Sequence, residues 1–356
     1  MKTKFFLIFL FSLLTTNCFS SEIENFKRKY ILSMLGNVYS VAINPNGTQI
    51  AAETTVGYQV FDLITGKELF TFLQAHSKHI RFIYSPDGSQ IMAPIDNEII
   101  IWDSKTGKEL RRLKIEMART SLASAVYSPD GKYIAASARF YSGDMSYYLL
   151  TWDVNSGRQL LDNISGGDNY IFYSKDGKNI GYTYGNGNDN ISSVSAGTGE
   201  KQDISDSIFY PINFQSIARE FERIIWGERS FSPDGLRFAK VSRVLVHDSR
   251  EDDGKDDAWE FSIQIFDSKT GRKLTEHLGS SPLSIQPVVI MYNPQGTRIF
   301  AGLSNGSIRI WDSTTGQEIT TQNYNNVGSI SSAQFSKDGN YLVIGTSNGN
   351  IVLMGK

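Results

Sequence analysis

Cysteine is almost missing from this sequence: Cys18 is the one copy in 356 residues. A mature chain that starts beyond it has no disulfide, no zinc–thiolate site and no cysteine nucleophile. Histidine is scarce too, with His76, His79, His247 and His277 only. None of them stands in a His-x-x-x-His or His-x-Glu spacing, so the usual frame of a catalytic zinc is lacking. A Gly-rich phosphate-binding loop with a following Lys is missing as well. Charge of one sign is lacking: the net charge is −2. That gives no reason to expect nucleic acid or an anionic membrane as the main partner. The short basic run Lys27-Arg28-Lys29 reads as a solvated strand edge. No cofactor and no metal is expected from this inventory.

What is present starts with a leader. Lys2 and Lys4 precede an apolar run from Phe5 to Leu14, broken only by Ser12. Ten residues are too few to cross a bilayer, which needs about 20. A basic start, a short apolar core and a small-residue end are the parts of a secretory signal. Residues 1–20 are therefore expected to be a signal peptide cut after Ser20, with residues 21–356 exported to a periplasmic or extracellular location. Leu14-Thr15-Thr16-Asn17-Cys18 loosely resembles a bacterial lipoprotein cleavage site. Membrane attachment is expected only if Cys18 is lipidated.

The full sequence is 40% hydrophobic and 20% charged, as suits a packed protein. It repeats itself. A four-residue element reads Asn44-Pro45-Asn46-Gly47, Ser85-Pro86-Asp87-Gly88, Ser128-Pro129-Asp130-Gly131 and Ser174-Lys175-Asp176-Gly177. It continues as Ser232-Pro233-Asp234-Gly235, Asn293-Pro294-Gln295-Gly296 and Ser336-Lys337-Asp338-Gly339. Pro presets φ, Asp or Asn bonds back to its own backbone, and Gly takes the left-handed position, so each copy is a tight turn between strands. A second element pairs an aromatic–Asp dipeptide with Thr/Ser-Gly three residues on: Phe61-Asp62 with Thr65-Gly66, Trp102-Asp103 with Thr106-Gly107, and Trp152-Asp153 with Ser156-Gly157. Phe266-Asp267 with Thr270-Gly271 and Trp311-Asp312 with Thr315-Gly316 complete the set, and Thr198-Gly199 is a decayed copy.

Over about residues 26 to 356 this pattern resembles the WD-repeat β-propeller family. The resemblance implies an all-β, seven-bladed propeller with four antiparallel strands per blade, named a to d from the axis outward. Asn305-Gly306 and Asn348-Gly349 are expected to form two-residue hairpin turns between strands b and c. The family's buried Asp–His–Ser/Thr–Trp network is approximated only by His76, Asp96 and Trp102, so apolar packing should carry most of the stability. The last blade runs out of chain after its third strand. The segment Phe26–Leu35, containing Tyr30-Ile31-Leu32, is expected to supply the fourth and so close blade 7.

Insertions between strands gather on one face, that of the b–c and d–a connections, which often marks the binding side of a repeat fold. They are Arg139–Tyr148 in blade 3, Gly185–Asn190 in blade 4, Asp206–Gly227 before blade 5, and His247–Glu260 in blade 5. Phe214, Ile217, Phe221, Ile224 and Ile225 fall at helical spacing and predict a short helix packed on the propeller. Phe140, Tyr141, Tyr147 and Tyr148 suit a protein interface, because Tyr joins apolar area to a polar tip. Packing within a long hairpin is the alternative for these four. Asp252, Asp253, Asp256, Asp257 and Trp259 form an acidic segment that suits a basic partner or simple solvation. Its spacing does not match a calcium loop.

Two stretches fit the Gly-x-Ser-x-Gly rule of serine hydrolases: Gly302-Leu303-Ser304-Asn305-Gly306 and Gly345-Thr346-Ser347-Asn348-Gly349. That motif needs a strand-to-helix turn, and both copies sit where a hairpin is expected. The sequence thus points to a non-catalytic scaffold for protein partners. The alternative is a propeller hydrolase or lyase working from an axial cleft, whose acid pair would need no linear signature.

Overall fold

The computed structural model describes residues 27–34, 36–72, 82–115, 120–142, 144–165, 171–174, 176–184, 190–202, 229–247, 258–268, 270–275, 280–282, 285–323 and 327–355. The predicted helix at 214–225 lies outside these residues. The described secondary structure is all β. Strand β1 (Lys27–Ser33) comes first. Sheet one follows, with β2 (Val38–Ile43), β3 (Gln49–Thr54), β4 (Gly57–Asp62) and β5 (Glu68–Phe72). Sheet two holds β6 (Ile83–Tyr84), β7 (Gln90–Ile95), β8 (Glu98–Asp103) and β9 (Glu109–Lys114). Sheet three holds β10 (Thr120–Tyr127), β11 (Tyr133–Ser142), β12 (Asp144–Asp153) and β13 (Gln159–Ser165). Sheet four holds β14 (Ile171–Tyr173), β15 (Asn179–Tyr184), β16 (Asn190–Ser195) and β17 (Lys201–Gln202). Sheet five holds β18 (Arg229–Phe231), β19 (Arg237–His247), β20 (Ala258–Asp267) and β21 (Ser280–Pro282). Sheet six holds β22 (Pro287–Tyr292), β23 (Arg298–Leu303), β24 (Ser307–Asp312) and β25 (Glu318–Asn323). The last strands are β26 (Ile330–Phe335), β27 (Tyr341–Thr346) and β28 (Asn350–Gly355).

Among the described residues these strands make seven four-stranded sheets, and the seventh is completed by β1 in the order β1-β28-β27-β26. The pairing runs antiparallel from Lys27 opposite Gly355 to Ser33 opposite Asn350. The Met34 N–H then donates to the Gly349 carbonyl at 2.6 Å. The expected strand at Tyr30-Ile31-Leu32 is therefore present, and it joins the beginning of the chain to its end.

Side chains alternate across each strand, and both faces of the middle strands are covered. In β8, Ile99 and Ile101 enter a cluster shared with sheet three, while Ile100 and Trp102 enter one shared with sheet one. In β27, Leu342 and Ile344 face sheet six, and Val343 faces sheet one. Period-two alternation thus sends odd and even residues into different interfaces, and the strands read as nearly continuous apolar runs. Each fully buried Ile, Leu or Val contributes about 1.5–3 kcal/mol. Such clusters link sheets one to two, two to three, three to four, five to six, six to seven, and seven to one.

The two repeated motifs are the same device used twice. At the first, the Ser85 hydroxyl donates to Asp87 Oδ1 at 2.6 Å and accepts the Gln90 N–H at 2.9 Å. The same triangle forms at Ser128, Asp130 and Tyr133, and at Ser336, Asp338 and Tyr341. Where Asn replaces Ser, the Asn44 amide oxygen accepts the Thr48 N–H at 2.7 Å directly. At the second motif, Asp62 Oδ1 accepts the Thr65 N–H at 2.8 Å and the Thr65 hydroxyl at 2.7 Å. Asp103, Asp153 and Asp267 repeat this with Thr106, Ser156 and Thr270. Both motifs are turn caps, which explains their residue types and their spacing.

Two features depart from the sequence-based expectation. Asn305-Gly306 and Asn348-Gly349 do not make two-residue turns. The Gly306 N–H bonds the Leu303 carbonyl at 3.0 Å, and the Gly349 N–H bonds the Thr346 carbonyl at 3.2 Å. Each hairpin therefore has two central residues before the glycine, Ser304-Asn305 and Ser347-Asn348. Only the glycines take positive φ, at 82° and 87°. This is the longer loop that ends in a left-handed glycine. Second, the outer strands carry a bulge at one recurring place. The register skips a residue at Leu69, Leu110, Leu160, Ile319 and Lys29. A bulge on an edge strand twists it away from pairing with a foreign strand.

Candidate functional site

Strand polarity divides the molecule into two faces. The Asp-capped turns share one, and the hairpins between second and third strands share the other. On the second face three sheets are built alike. In sheet one the Thr55 N–H donates to the Asn37 carbonyl at 3.0 Å, and the Asn37 N–H donates to the Thr55 hydroxyl at 2.9 Å. Ser304 with Gln286 and Ser347 with Ser329 repeat this two-way bond in sheets six and seven. Each hairpin tip is thereby tied down to the segment that enters its own sheet.

Sheets three and five differ. β11 and β12 go on pairing through Tyr141 opposite Met145 and Ser142 opposite Asp144. Among the described residues β10 pairs as far as Thr120 opposite Phe140, and β13 as far as Ser165 opposite Tyr147. The segment read as an inserted loop from Arg139 is thus an extension of the hairpin. Its Phe and Tyr content suits a strand. In sheet five, β19 and β20 pair out to His247 opposite Ala258, and β21 pairs with β20 as far as Glu260 opposite Pro282. Sheets three and five therefore each hold a long hairpin on this face.

The aromatic candidates divide. Phe140 and Tyr148 pack edge to face, with ring centroids 6.1 Å apart. Tyr148 also lies against the cluster between sheets two and three. Both are half-buried, so these two rings serve the hairpin itself. Tyr147 is half-buried opposite Arg139, and Tyr141 is placed by its backbone near the tip of the extension. Trp259 stands in β20 opposite Leu245. Asp252, Asp253, Asp256 and Asp257 lie outside the described residues, as do the segments 185–189 and 206–227.

The carboxylates of the other face are held ionised. Hydrogen bonds from Ser85, Ser128 and Ser174 pull Asp87, Asp130 and Asp176 below the ordinary Asp range. At Asp234, Asp312 and Asp338 burial is the largest influence and pushes upward, but the turn hydrogen bonds together outweigh it. A carboxylate in this state is a poor proton donor at neutral pH. Among the described residues no group of three or more His, Cys, Asp or Glu side chains could hold a metal ion. Both Gly-x-Ser-x-Gly stretches close hairpins between β23 and β24 and between β27 and β28, not strand-to-helix turns.

Sequence reasoning missed a set of buried polar links between sheets. The Gln49 side-chain amide donates to the Ser104 carbonyl at 2.8 Å, and the Tyr84 hydroxyl reaches Gln49 Oε1 at 3.4 Å. Tyr127 reaches Gln90 in the same way, and an Arg237 guanidinium nitrogen donates to the Ser313 carbonyl at 3.2 Å. Gln49, Gln90 and Arg237 all stand two residues after the turn glycine, at the start of a strand. That recurring polar position was the available signal. By contrast the Trp311 indole N–H finds no acceptor among the described residues.

Seven four-stranded sheets, joined by two recurring kinds of capped turn that most often use Asp, define an all-β repeat protein. A family model described as "WD domain, G-beta repeat" matches residues 268–312. Two curated proteins, both WD repeat-containing protein 1, are similar to the chain. The one from Bos taurus is 28% identical over 232 residues, 55% of this chain and 34% of its own length. The one from Rattus norvegicus is 24% identical over 241 residues, 67% of this chain and 34% of its own length. The chain thus spans about a third of these relatives. Repeat pattern, matched segment and relatives together support a WD-repeat family. No helix among the described residues is long and apolar enough to cross a membrane.

Proposed function

We propose that this chain is a non-catalytic scaffold for protein partners, folded as a seven-bladed propeller whose last blade is completed by β1. The pairing of β1 with β28 and the succession of inter-sheet clusters support the ring. The contact surface lies on the hairpin face over blades 3 to 5. The observation that carries this reading is the asymmetry of that face. Hairpins of sheets one, six and seven are tied down and built of six-residue strands, while β11–β12 and β19–β20 are hairpins of ten- and eleven-residue strands. A wall of longer hairpins beside a flat sector fixes the orientation of a bound protein, and Tyr141, Tyr147 and Trp259 lie in the wall. The segment holding Asp252, Asp253, Asp256 and Asp257 joins the two strands of the second hairpin and would add attraction for a basic partner.

The leader composition of residues 1–20 supports export, so the partner would be met outside the cytoplasm. The test is an affinity capture from the native source using residues 21–356 as bait. Tyr141→Ala with Tyr147→Ala, and Asp→Asn at 252, 253, 256 and 257, serve as two comparison baits. The reading requires that at least one bait loses partners held by the parent while keeping its melting temperature. Capture unchanged by both would move the surface elsewhere. Turnover of a hydrolase substrate panel by the parent would favour an enzyme instead.

A further inference from the structure

We infer that Asn348-Gly349 is a self-modifying site, at which loss of the side-chain amide loosens the strand that joins the two ends of the chain. Among the described residues Asn46, Asn305 and Asn348 each precede a glycine. In the reaction the Gly349 nitrogen bonds to Cγ of Asn348. The bond from Cγ to the side-chain nitrogen breaks, and that nitrogen leaves as ammonia. Water then opens the cyclic imide at either carbonyl, giving Asp or its backbone-lengthened isomer. No electrons are transferred, and water is the one co-reactant. Three conditions favour this: a nucleophilic nitrogen weakly held, a carbonyl polarised by donors, and no Cβ on the following residue.

Asn348 meets them best. The Gly349 N–H bond is 3.2 Å long, against 3.0 Å at Gly306 and 2.9 Å at Gly47. The Asn348 amide oxygen accepts from the Thr346 hydroxyl and from the Asn350 amide, each at 2.9 Å. Asn348 is exposed at the hairpin tip. At Asn46 the following glycine nitrogen is the most tightly held of the three, at 2.9 Å. At Asn305 the oxygen is equally polarised, by the Ser307 hydroxyl at 2.6 Å, but the glycine nitrogen is held more tightly.

The consequence is particular to this hairpin. The Gly349 carbonyl accepts the last backbone bond of the joining strand, from Met34 at 2.6 Å. The Gly349 α-carbon is so close to the chain crossing it that an added Cβ would stand 2.3 Å from the Gly36 carbonyl oxygen. The isomer puts Asn348 Cβ into the backbone beside this crossing, where Met34 and Gly36 stand close. The site would therefore act as a timer on the closure of the repeat.

The experiment ages the folded protein at mildly alkaline pH and follows each Asn-Gly peptide by mass spectrometry, with isoaspartate read by enzymatic methylation. Aged forms are then separated by ion exchange and melted. Conversion at Asn348 ahead of Asn46 and Asn305 is expected, together with a melting point several degrees lower in the converted fraction. Asn348→Gln should remove the loss on ageing, and comparison of separated wild-type fractions covers the case in which that variant folds poorly. Faster conversion at Asn46 or Asn305, or converted protein that melts like fresh protein, would overturn the inference.

Discussion

The hydroxyl of Tyr30 donates to the carbonyl of Leu63 at 2.7 Å. Tyr30 lies on the joining strand of sheet seven, and Leu63 on the Asp-capped turn of sheet one. One side chain thus fastens the first strand to a second sheet besides the one it completes. Burial, and then the nearby Asp62 carboxylate, push its phenol up to about 12. It therefore stays a donor throughout the physiological range. Tyr30→Phe keeps the ring against Gly66 and removes only the donor. A loss of about 1 kcal/mol is expected, read as a lower urea midpoint at unchanged slope.

Gln49 tests the inter-sheet links. It is 8% exposed, and its amide serves both Ser104 and Tyr84. Gln49→Met keeps the volume but strands a buried carbonyl and a buried hydroxyl. A cost of about 1–3 kcal/mol is expected. The double variant with Tyr84→Phe should cost less than the sum of the single ones, because the two share a partner. Additive losses in chemical unfolding would show that the link carries no energy.

Close packing between sheets has its own test in two glycines of ordinary φ. A Cβ at Gly302 would stand 2.6 Å from Ile330 Cγ2, and one at Gly345 would stand 2.8 Å from Val38 Cγ1. Gly302→Ala and Gly345→Ala should each destabilise by about 1–3 kcal/mol through overpacking. At Gly197 nothing lies within 4 Å of an added Cβ. Gly197→Ala should leave the melting temperature unchanged and serves as the control.

Acid should unfold the protein through its turn caps. Asp62, Asp87, Asp103, Asp130, Asp153 and Asp176 all have pKa values lowered in the folded chain by turn hydrogen bonds. A lowered folded pKa adds stability above the unfolded value of about 4, and that stability drains away as pH falls through the folded pKa. Melting temperature should therefore hold between neutrality and about pH 5 and drop steeply below about 4. Replacing Asp87 and Asp130 by Asn should flatten the acid limb while lowering stability at neutral pH. A melting profile flat to pH 3 would show that the caps carry no net energy.

Much of this was legible because turn chemistry is local. Ser85, Asp87 and Gly88 act within five residues of one another, so their types and spacing announce the turn. Tyr30-Ile31-Leu32 was legible for a different reason: a sheet left with three strands needs a fourth. Gln49 was legible only as a recurring polar position after the turn glycine, since its partners Ser104 and Tyr84 belong to another sheet and sequence spacing carries no sign of them. Asn348-Gly349 misled because the same dipeptide serves two hairpin loops, and only backbone pairing tells them apart. Arg139–Tyr148 read as an insertion, although Phe140, Tyr147 and Tyr148 already favoured a strand. At the proposed contact face the aromatic residues could be found from sequence. That Phe140 and Tyr148 pack on each other was the alternative the sequence left open.

The account rests on β1 lying along β28. Ser33 and Asn350 face each other in that pairing, and the Ser33 hydroxyl donates to the Asn350 amide oxygen at 3.0 Å on the surface. In residues 21–356, which hold no cysteine, Ser33→Cys with Asn350→Cys introduces the only two thiols. Mild oxidation of the folded protein should link them within one chain and raise the urea midpoint, while the urea-unfolded protein should link poorly. Thiols that stay free in the folded protein, or that join only between two chains, would contradict the closed arrangement.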